Sequence, residues 1–348
     1  MDKLLKILIL DQKNTRDIYK PSKYWKKKSI SAVKELKKNG LNDFRSSNDK
    51  NIAATGFGDG APIDGRRLIE TSSLQNKLGL AILNHTPLKK LFDWQVNTTR
   101  NYLNKLRDLE KSYFVLTKSE KMAELVQNYK IKNSINFGCD RTLVFNEQEY
   151  SKYYLNLVNQ LNFIEKNSTL KECRSLLEIG PGFGANIHLI EQNYSEIRKF
   201  IVIDIVPNVW VVTNYLRSLY GNCVKDYLET KDLKEIKFKD DTSLEIFVIP
   251  PWEIEKISSS IDCFWNSNSF VEMQPDIVSN YANYLSRIKT SKTIYTFISY
   301  DKFDINTTFH PDLIQEYFSD VEFQKLSFPY LFDEKRKDYF YLGKSTQV

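Results

Sequence analysis

From residue 175 onward, short apolar runs alternate with longer amphipathic segments. The runs are SLLEIG, KFIVIDIV, LEIFVIP, IDCFWNS and KTIYTFISY, which begin at residues 175, 199, 244, 261 and 292. Apolar, β-branched runs of this length are typical of strands that are buried on both faces of a parallel sheet. The segments 186–196, 208–220 and 273–288 predict the crossover helices that such a sheet requires. The second half of the chain is therefore predicted to be an α/β domain.

The end of the chain predicts a change in strand direction. Two further runs, FQKLSFPYL from residue 323 and KDYFYLGK from residue 337, have no helix-length segment between them. They are therefore expected to form an antiparallel hairpin. Five parallel strands followed by this hairpin make a mostly parallel, seven-stranded, Rossmann-like sheet. This is the layout of class I methyltransferase domains, and it is the fold class that we expect for residues 146–348.

Residues 1–145 lack this alternation and are predicted to be mainly helical. The segment SKYWKKKSISAVKELKKNG, residues 22–40, has apolar residues at helical spacing and ends in Asn39-Gly40, which is typical of a helix stop. Asn146 with Glu149 has the pattern of a capping box and predicts the start of a later helix. We expect the first 145 residues to form an acceptor-binding or lid region over the carboxyl ends of the strands.

The composition excludes several classes of protein. The chain has 348 residues, of which 41% are hydrophobic and 27% charged, with a formal net charge of +6. Lysine supplies most of the positive charge, whereas nucleic-acid readers favour arginine, so no nucleic-acid partner is expected. The apolar run at residues 4–10 is too short to span a membrane and predicts a buried strand or helix turn. The four cysteines are far apart, which indicates neither a zinc site nor a disulfide framework and fits a cytoplasmic protein.

The first of the parallel strands leads into a turn with three glycines. In LEIGPGFGAN, an acid at Glu178 precedes Gly180, Gly182 and Gly184, and Asp204 ends the next strand. A dinucleotide site has the pattern G-x-G-x-x-G with an acid about 20 residues further on. An alanine occupies the last position here, so the match is degenerate. A second alternative is that the glycines serve only a tight turn.

S-adenosyl-L-methionine as the cofactor explains more of this pattern. Residues without side chains allow the backbone to approach the amino-acid end of this ligand, and the Glu178 carboxylate suits its positive charges. Asp204 is placed to accept hydrogen bonds from both ribose hydroxyls. Both features lie at the carboxyl ends of strands, where ligands of open α/β sheets bind. We therefore predict that Glu178, the three glycines and Asp204 bind this cofactor.

The third strand ends in VIPPW, residues 248–252, which resembles the Asn/Asp-Pro-Pro-Tyr motif of amino-group methyltransferases. The first residue of that motif accepts hydrogen bonds from the target amine. Ile249 has no acceptor there, so methylation of a base nitrogen is disfavoured. Residues at the end of this strand usually line the adenine of the cofactor, so Pro250 and Trp252 are candidate cofactor-binding residues. A position in the hydrophobic core is the alternative for Trp252.

The fourth strand continues into FWNSNSFVEM, residues 264–273. Together with LEIGPGFGAN and IDIVP, this segment resembles the bacterial sugar O-methyltransferase family, whose members pair Asn-x-x-Ser-x-x-Glu-Met after the fourth strand with a helical N-terminal region. The resemblance covers residues 170–300 well and the first 145 residues only loosely. It implies methyl transfer to a sugar hydroxyl of a surface polysaccharide or glycolipid precursor. Such an acceptor would be a sugar or glycan, free or linked to a nucleotide or lipid.

The candidate catalytic residues follow from this chemistry. A sugar hydroxyl is a poor acid, so its attack on a methyl group needs a positioned base or strong orientation. Glu272 is the first candidate base, and a helix-start carboxylate is its alternative role. Asn268 is a candidate acceptor ligand and Asn266 a candidate cofactor ligand, or both cap the next helix. His310 is an alternative base at the rim of the site, or a surface loop residue.

Other classes of function remain open from the sequence. They are an O-methyltransferase of another small molecule, a nucleotide-sugar oxidoreductase with a nicotinamide cofactor, and a cofactor-binding module without catalysis. No cluster of acids and histidines in the sequence specifies a metal ion.

Overall fold

The structure is a computed structural model of the chain. It describes residues 2–41, 44, 120–130, 143–145, 148–150, 152–300, 308–329 and 337–346.

The described N-terminal residues form two helices. Helix α1, Lys3–Asn14, begins after Asp2, whose carboxylate accepts a hydrogen bond from the amide of Leu4 at 2.7 Å. The run at residues 4–10 is thus helical, which agrees with the second of the two predicted alternatives, and the helix extends over three turns because its buried leucines recur at helical spacing. Helix α2, Lys23–Asn39, confirms the helix predicted over residues 22–40. It ends at Gly40, where φ is +64°.

A short hairpin separates two further helices. Helix α3 spans Glu120–Asn128, strands β1 (Leu143–Phe145) and β2 (Gln148–Tyr150) pair antiparallel, and helix α4 spans Lys152–Asn167. The helix start predicted from Asn146 and Glu149 is therefore wrong. Glu149 is opposite Val144 in the hairpin, and the extended backbone of β2 excludes a helix before Lys152. Asn146 itself lies outside the described residues.

The second half of the chain follows the predicted alternation. Its strands are β3 (Ser175–Ile179), β4 (Lys199–Ile203), β5 (Val224–Lys225), β6 (Glu245–Ile249), β7 (Ile261–Ser267), β8 (Lys289–Tyr300), β9 (Val321–Pro329) and β10 (Lys337–Ser345). Its helices are α5 (Ala185–Asn193), α6 (Asn208–Tyr220), α7 (Tyr227–Thr230), α8 (Pro275–Ile288) and α9 (Ile314–Tyr317). Short 3₁₀ turns include Asp17–Tyr19, Pro251–Lys256, Phe270–Glu272 and Pro311–Leu313.

The strands form one mixed sheet in the order β5-β6-β4-β3-β7-β8-β10-β9. The pairs from β5 to β8 are parallel, whereas β10 is antiparallel to both β8 and β9. This arrangement confirms the predicted fold class of five parallel strands with a terminal antiparallel hairpin. The two-residue strand β5 adds an eighth strand at one edge, too short to be recognised from its sequence.

The sheet is covered on both faces because successive side chains of a strand point to opposite sides. On β3, Leu176 packs into a core that includes side chains from α1 to α6, whereas Leu177 packs into a second core with α8. All five residues of β3, β4 and β6 are buried. The continuous apolar runs of the sequence are therefore explained by burial on both faces.

Asp262 joins β7 to the start of β3. Its carboxylate accepts hydrogen bonds from the amides of Arg174 and Ser175, at 2.9 and 3.1 Å, and from the Ser175 hydroxyl at 3.1 Å. These contacts lie at the amino end of the strands, away from their carboxyl ends. Asp262 therefore has a structural role, because its carboxylate joins the starts of two neighbouring strands.

We predict that Asp262→Ala lowers the free energy of unfolding by about 2 to 4 kcal/mol, because a carboxylate that accepts three hydrogen bonds is lost. Urea unfolding measures this change. The exposed Asp240→Ala is the control and should be nearly neutral. Equal stabilities of the two variants would contradict the structural role.

Candidate functional site

The glycine turn connects β3 to α5 and presents backbone to its surroundings. Gly180, Gly182 and Gly184 have φ values of +76°, +65° and +93°, which only glycine adopts without strain. A Cβ atom at Gly180 would overlap the side chain of Ser269. The Gly180 amide donates to the carbonyl of Ile203 at 2.8 Å. The turn is thus fixed against the ends of both neighbouring strands.

Glu178 lies beneath the turn with only 2% of its surface exposed. Its Oε1 accepts a hydrogen bond from Nδ2 of Asn186 at 3.2 Å, whereas its buried Oε2 has no hydrogen-bond partner among the described residues. Burial raises the pKa of Glu178 to about 8, and the charge of Asp204 adds to the increase, while the Asn186 hydrogen bond opposes it. A nearby cationic group would stabilise the ionised form of this carboxyl group.

Asp204 follows β4 directly and is also buried. Its carboxylate accepts hydrogen bonds from the Ile205 amide at 2.7 Å and from Nδ2 of Asn208 at 3.2 Å. Burial raises the pKa of Asp204 to about 7. The charge of Glu272 acts in the same direction, whereas the hydrogen bonds from Asn208 and from the amides of Ile205 and Gly182 oppose the shift. Asp204 is therefore held between two other acidic side chains.

A cavity of about 170 Å³ lies at the carboxyl ends of the parallel strands. Four of its lining residues follow parallel strands. Gly180 and Gly182 follow β3, Asp204 follows β4, and Pro251 follows β6. The segment after β7 supplies a further part of the wall, with Ser267, Asn268, Ser269, Glu272 and Met273. Ligands of open α/β sheets bind at this position. The structure thus brings together two of the predicted glycines, Gly180 and Gly182, with Asp204, Asn268 and Glu272.

Asn266 has a structural position instead of a place on the cavity wall. Its Nδ2 donates to the Ile179 carbonyl at 2.8 Å and to Oγ of Ser269 at 2.7 Å, and its Oδ1 accepts from the Phe270 amide at 3.1 Å. Both ends of the amide are therefore used to join β3 to the turn after β7. Its predicted contact with a cofactor has no support in this geometry, because its polar atoms point into the protein.

Asn268 lines the cavity and has a left-handed backbone, with φ of 60°. Asparagine tolerates this conformation better than most residues. Its amide donates to the Ile298 carbonyl at 2.7 Å, and its Oδ1 accepts from the Tyr300 amide at 3.2 Å. The second contact occupies Oδ1 and holds the side chain against β8. The predicted contact of Asn268 with the acceptor would therefore use Nδ2.

Glu272 lines the same cavity at the end of the 3₁₀ turn after β7. Its Oε1 accepts a hydrogen bond from the Tyr300 hydroxyl at 2.7 Å, and the Trp25 side chain also donates to it. Burial raises the pKa of Glu272, whereas the Tyr300 hydrogen bond, the positive charge of Lys28 and the Trp25 hydrogen bond oppose the shift. A half-buried carboxylate with a raised pKa is suited to accept a proton near neutral pH.

Besides Asn266, five predicted site residues are not among the described residues that line the cavity, namely Glu178, Gly184, Pro250, Trp252 and His310. Trp252 donates from Nε1 to the Tyr227 hydroxyl at 3.1 Å and packs edge-on against that ring, so its side chain is turned away. Pro250 is buried at the end of β6, and its neighbour Pro251 reaches the cavity instead. His310 accepts a hydrogen bond from the Asp312 amide at 3.3 Å at the start of a 3₁₀ turn.

A segment far away in sequence forms the remaining wall. Residues 18–22 and Trp25 also line the cavity. Tyr19 is 3% exposed, and its hydroxyl contacts Glu255, just after β6, and Tyr284 on α8. The sequence analysis predicted a covering role for the N-terminal region as a whole but identified none of these residues. Their contacts are with residues more than 200 positions away, for which the local sequence carries no signal.

Metal-binding and membrane-spanning features are absent from the part of the chain that the structure describes. No group of three or more His, Cys, Asp or Glu side chains in that part is arranged to hold a metal ion. Likewise, none of the helices described is long and apolar enough to cross a membrane.

Comparison with known sequences gives no family. No family model matches the chain, and no curated protein sequence matches it either. The resemblance to the sugar O-methyltransferase family therefore depends on the motifs of residues 176–273 alone.

Three solved structures of low sequence identity are similar to the chain. An S-adenosylmethionine-dependent methyltransferase from Clostridium acetobutylicum ATCC 824 is 10% identical with a TM-score of 0.37, over 54% of this chain and 92% of that chain. The PH0226 protein from Pyrococcus horikoshii OT3 is 12% identical with a TM-score of 0.40, over 56% and 92%. Human N-acetylserotonin methyltransferase, in complex with SAM, is 10% identical with a TM-score of 0.36, over 56% and 54%. Such distant similarity carries no argument about substrate, so function has to be inferred from the site.

The raised pKa of Asp204 predicts a specific pH dependence of stability. Its pKa is about 7 in the folded chain against 3.8 in the unfolded chain, so the folded state binds more protons between these values and loses stability as the pH rises. Asp204→Asn removes this loss. The difference in unfolding free energy, variant minus wild type, should therefore grow by on the order of 3 kcal/mol between pH 4 and pH 8.

Urea unfolding without ligand at several pH values measures this difference. Asp312→Asn is a control of opposite sign, because the hydrogen bond from Lys325 lowers the pKa of Asp312. A difference for Asp204→Asn that stays constant with pH would show that this carboxyl group is ionised throughout the range.

Proposed function

We propose that the protein is an S-adenosylmethionine-dependent O-methyltransferase that transfers a methyl group to a sugar hydroxyl. The observation that carries this proposal is a single cavity that Gly180, Asp204, Asn268 and Glu272 line together. A candidate cofactor site and a candidate base thereby share one enclosed space, which is the arrangement that direct group transfer requires.

The residues on the cofactor side fit S-adenosylmethionine. Bound there, the cofactor would supply a methyl group on a positively charged sulfur. The backbone at Gly180 and Gly182, which lines the cavity, would hold its amino-acid end. Oε2 of Glu178, which has no partner among the described residues, would accept from the ammonium group directly or through water. Asp204 would accept from the ribose hydroxyls.

The electrostatics of the cavity also favour a cationic ligand. The charge of Asp204 raises the pKa of Glu178, and the charge of Glu272 raises that of Asp204. A positively charged ligand would relieve both unfavourable interactions and draw the pKa values of the carboxyl groups down. A nicotinamide dinucleotide would instead bring a negative diphosphate close to these carboxylates, so the oxidoreductase alternative is disfavoured.

On the acceptor side, Glu272 would accept the hydroxyl proton. The Tyr300 hydroxyl and the Trp25 indole hold its carboxylate in position. Closure of the cavity by residues 18–22 would exclude water, which otherwise competes with the acceptor for the methyl group. The basicity of Glu272 and the orientation of the acceptor are therefore the two contributions of the protein to transfer.

A sugar acceptor is supported by the resemblance of FWNSNSFVEM and by the aromatic lining. Trp25, Tyr19 and Tyr281 line the cavity, and aromatic faces pack well against sugar rings. An O-methyltransferase of another small molecule is the alternative, since aromatic rings also accommodate planar acceptors. Methyl transfer from labelled cofactor to a glycan extract from cells that lack the gene would distinguish the two substrate classes.

We predict that Asp204→Ala weakens S-adenosylmethionine binding by about 1.5 to 3 kcal/mol, because a charged acceptor of two hydrogen bonds is lost. Titration calorimetry measures this loss. Asp262→Ala is the matched control, since its carboxylate also accepts several hydrogen bonds but lies at the other end of the strands. Unchanged affinity in Asp204→Ala, or stabilisation of the wild type by NAD and not by S-adenosylmethionine in thermal unfolding, would reject the cofactor assignment.

The assignment of the base predicts that Glu272→Gln lowers the rate of methyl transfer by about 10²- to 10⁴-fold with nearly unchanged cofactor affinity. Glutamine keeps the size and a hydrogen-bond acceptor but removes the basicity. Single-turnover transfer of labelled methyl to the glycan extract measures the effect. His310→Ala is the comparison variant, and a loss of activity in this variant alone would transfer the role of base to the histidine.

A further inference from the structure

A second, larger cavity lies between α1, α2 and the first turn of α8, beside the candidate site. Its volume is about 800 Å³. Lysine side chains from both N-terminal helices line it, namely Lys13, Lys26, Lys34 and Lys37, and we call this cavity the basic groove. The proposed methyl transfer in the first cavity gives no role to the lysines of the basic groove.

The positive charge of the basic groove is only partly neutralised by the described residues. Lys26, Lys34 and Lys37 lie along one face of α2 because their spacing is close to whole helical turns, and none of the three forms an ion pair within 4 Å among the described residues. Two acids line the groove, Asp17 and Asp276. Asp17 is paired with Lys20 at 2.9 Å, and the charge of Lys26 also lowers the pKa of Asp17. The lysines that line the groove still outnumber the two acids, and this excess of positive charge would stabilise an anion there.

A buried hydroxyl group lies in the same wall. Ser29 is 6% exposed, and its Oγ has no hydrogen-bond partner among the described residues. It lies on α2 between Lys26 and Lys34 and lines the groove. A buried hydroxyl without a partner destabilises the folded protein unless a ligand supplies the hydrogen bond. A phosphate oxygen is an acceptor that the Ser29 hydroxyl and the neighbouring ammonium groups would bind together.

The floor of the groove is aliphatic. It consists of Ile9, Ile18, Ile30, Val33, Val206 and Ile277. No aromatic side chain among the described residues lines the groove, whereas proteins commonly bind nucleobases by stacking on aromatic rings. Ile30 is 52% exposed, so an apolar ligand would remove its side chain from water. The surface therefore suits an aliphatic chain next to an anionic group better than a nucleotide.

The basic groove is continuous with the candidate site. Ile18, Lys20, Pro21, Ser22 and Ile277 line both cavities. We propose that the basic groove binds the carrier end of the acceptor, a diphosphate ester of an aliphatic alcohol, while the attached sugar extends past Pro21 toward Glu272. This inference depends on the proposed function for the identity of the sugar site, but binding in the groove itself is measurable without methyl transfer.

The test is titration of the full chain with geranyl diphosphate, inorganic pyrophosphate and UDP at about 0.1 M salt, where charge interactions in a partly enclosed site persist. Geranyl diphosphate should bind about tenfold more tightly than pyrophosphate, because its chain covers the aliphatic floor. UDP should bind no more tightly than pyrophosphate. Tighter binding of UDP would overturn the aliphatic carrier in favour of a nucleotide, and no binding of any probe would overturn the site.

Matched variants separate the charge, the hydroxyl and the apolar floor. The triple variant Lys26→Gln, Lys34→Gln, Lys37→Gln should lose about tenfold or more in affinity for both diphosphates. The control triple, Lys234→Gln, Lys237→Gln, Lys292→Gln, makes the same charge change at exposed positions outside both cavities. It should keep the wild-type affinity, and an equal loss in the control would show unspecific attraction only.

Two single variants test the remaining contacts. Ser29→Ala should weaken pyrophosphate binding about threefold to tenfold without loss of stability, because it removes a buried hydroxyl that the protein leaves unpaired. Ile30→Gln should abolish the advantage of geranyl diphosphate over pyrophosphate, whereas the equally exposed Leu10→Gln, outside the groove, should not. If Ile30→Gln has no effect on this ratio, the aliphatic part of the proposal is wrong.

The outcomes distinguish this inference from the proposed function. S-adenosylmethionine binding without any diphosphate binding would reject the groove and leave the methyltransferase proposal intact. Diphosphate binding without S-adenosylmethionine binding would reject the methyltransferase proposal and leave an anion site in the N-terminal helices.

Discussion

The candidate site depends on the close contact between Gly180 and Ser269. Strands β3 and β7 are parallel neighbours, with Ile179 opposite Asn266, so the turns that follow them must share the same space. The missing Cβ of Gly180 provides the space that the Ser269 side chain fills. The Asn266 amide then joins the Ile179 carbonyl to the Ser269 hydroxyl. Because both turns are fixed to each other, the glycine wall and the Glu272 wall of the cavity have a fixed separation, as a reaction between two bound molecules requires.

The first cavity is acidic and the second is basic. In the absence of ligand, the charged groups of each cavity lower the stability of the folded chain. In the first cavity, burial raises the pKa values of Glu178 and Asp204 to about 8 and 7, so their ionised forms are destabilised in the folded protein. In the basic groove, unpaired lysines surround the buried Ser29 hydroxyl. Sites that are arranged for charged ligands commonly reduce stability in this way. The opposite charges would also favour binding of the cationic donor in the first cavity and of the anionic carrier in the basic groove.

The local patterns of the sequence predicted the sheet, and the motifs predicted Gly180, Asp204, Asn268 and Glu272 at one cavity. Both kinds of signal are short-range, since strand burial and turn residues are encoded within a few positions. Tertiary contacts, which the local sequence does not encode, placed two other candidate residues outside the lining of this cavity. The Trp252 indole donates a hydrogen bond to the Tyr227 hydroxyl. The Asn266 amide joins the turns after β3 and β7. The hairpin at residues 143–150 was missed because strands of three residues carry almost no periodic signal.

The segment from Ile18 to Ser22 lines both cavities and therefore connects them. It follows α1 and precedes α2, and the buried Tyr19 anchors it to Glu255 and Tyr284 on the main domain. On its two sides it contacts the first cavity and the basic groove. Under the proposed function, the donor in the first cavity and the acceptor carrier in the basic groove would both contact this connection. Because the buried Tyr19 already holds the connection against the main domain, the shared wall would keep the two ligands at a fixed separation, which direct methyl transfer requires.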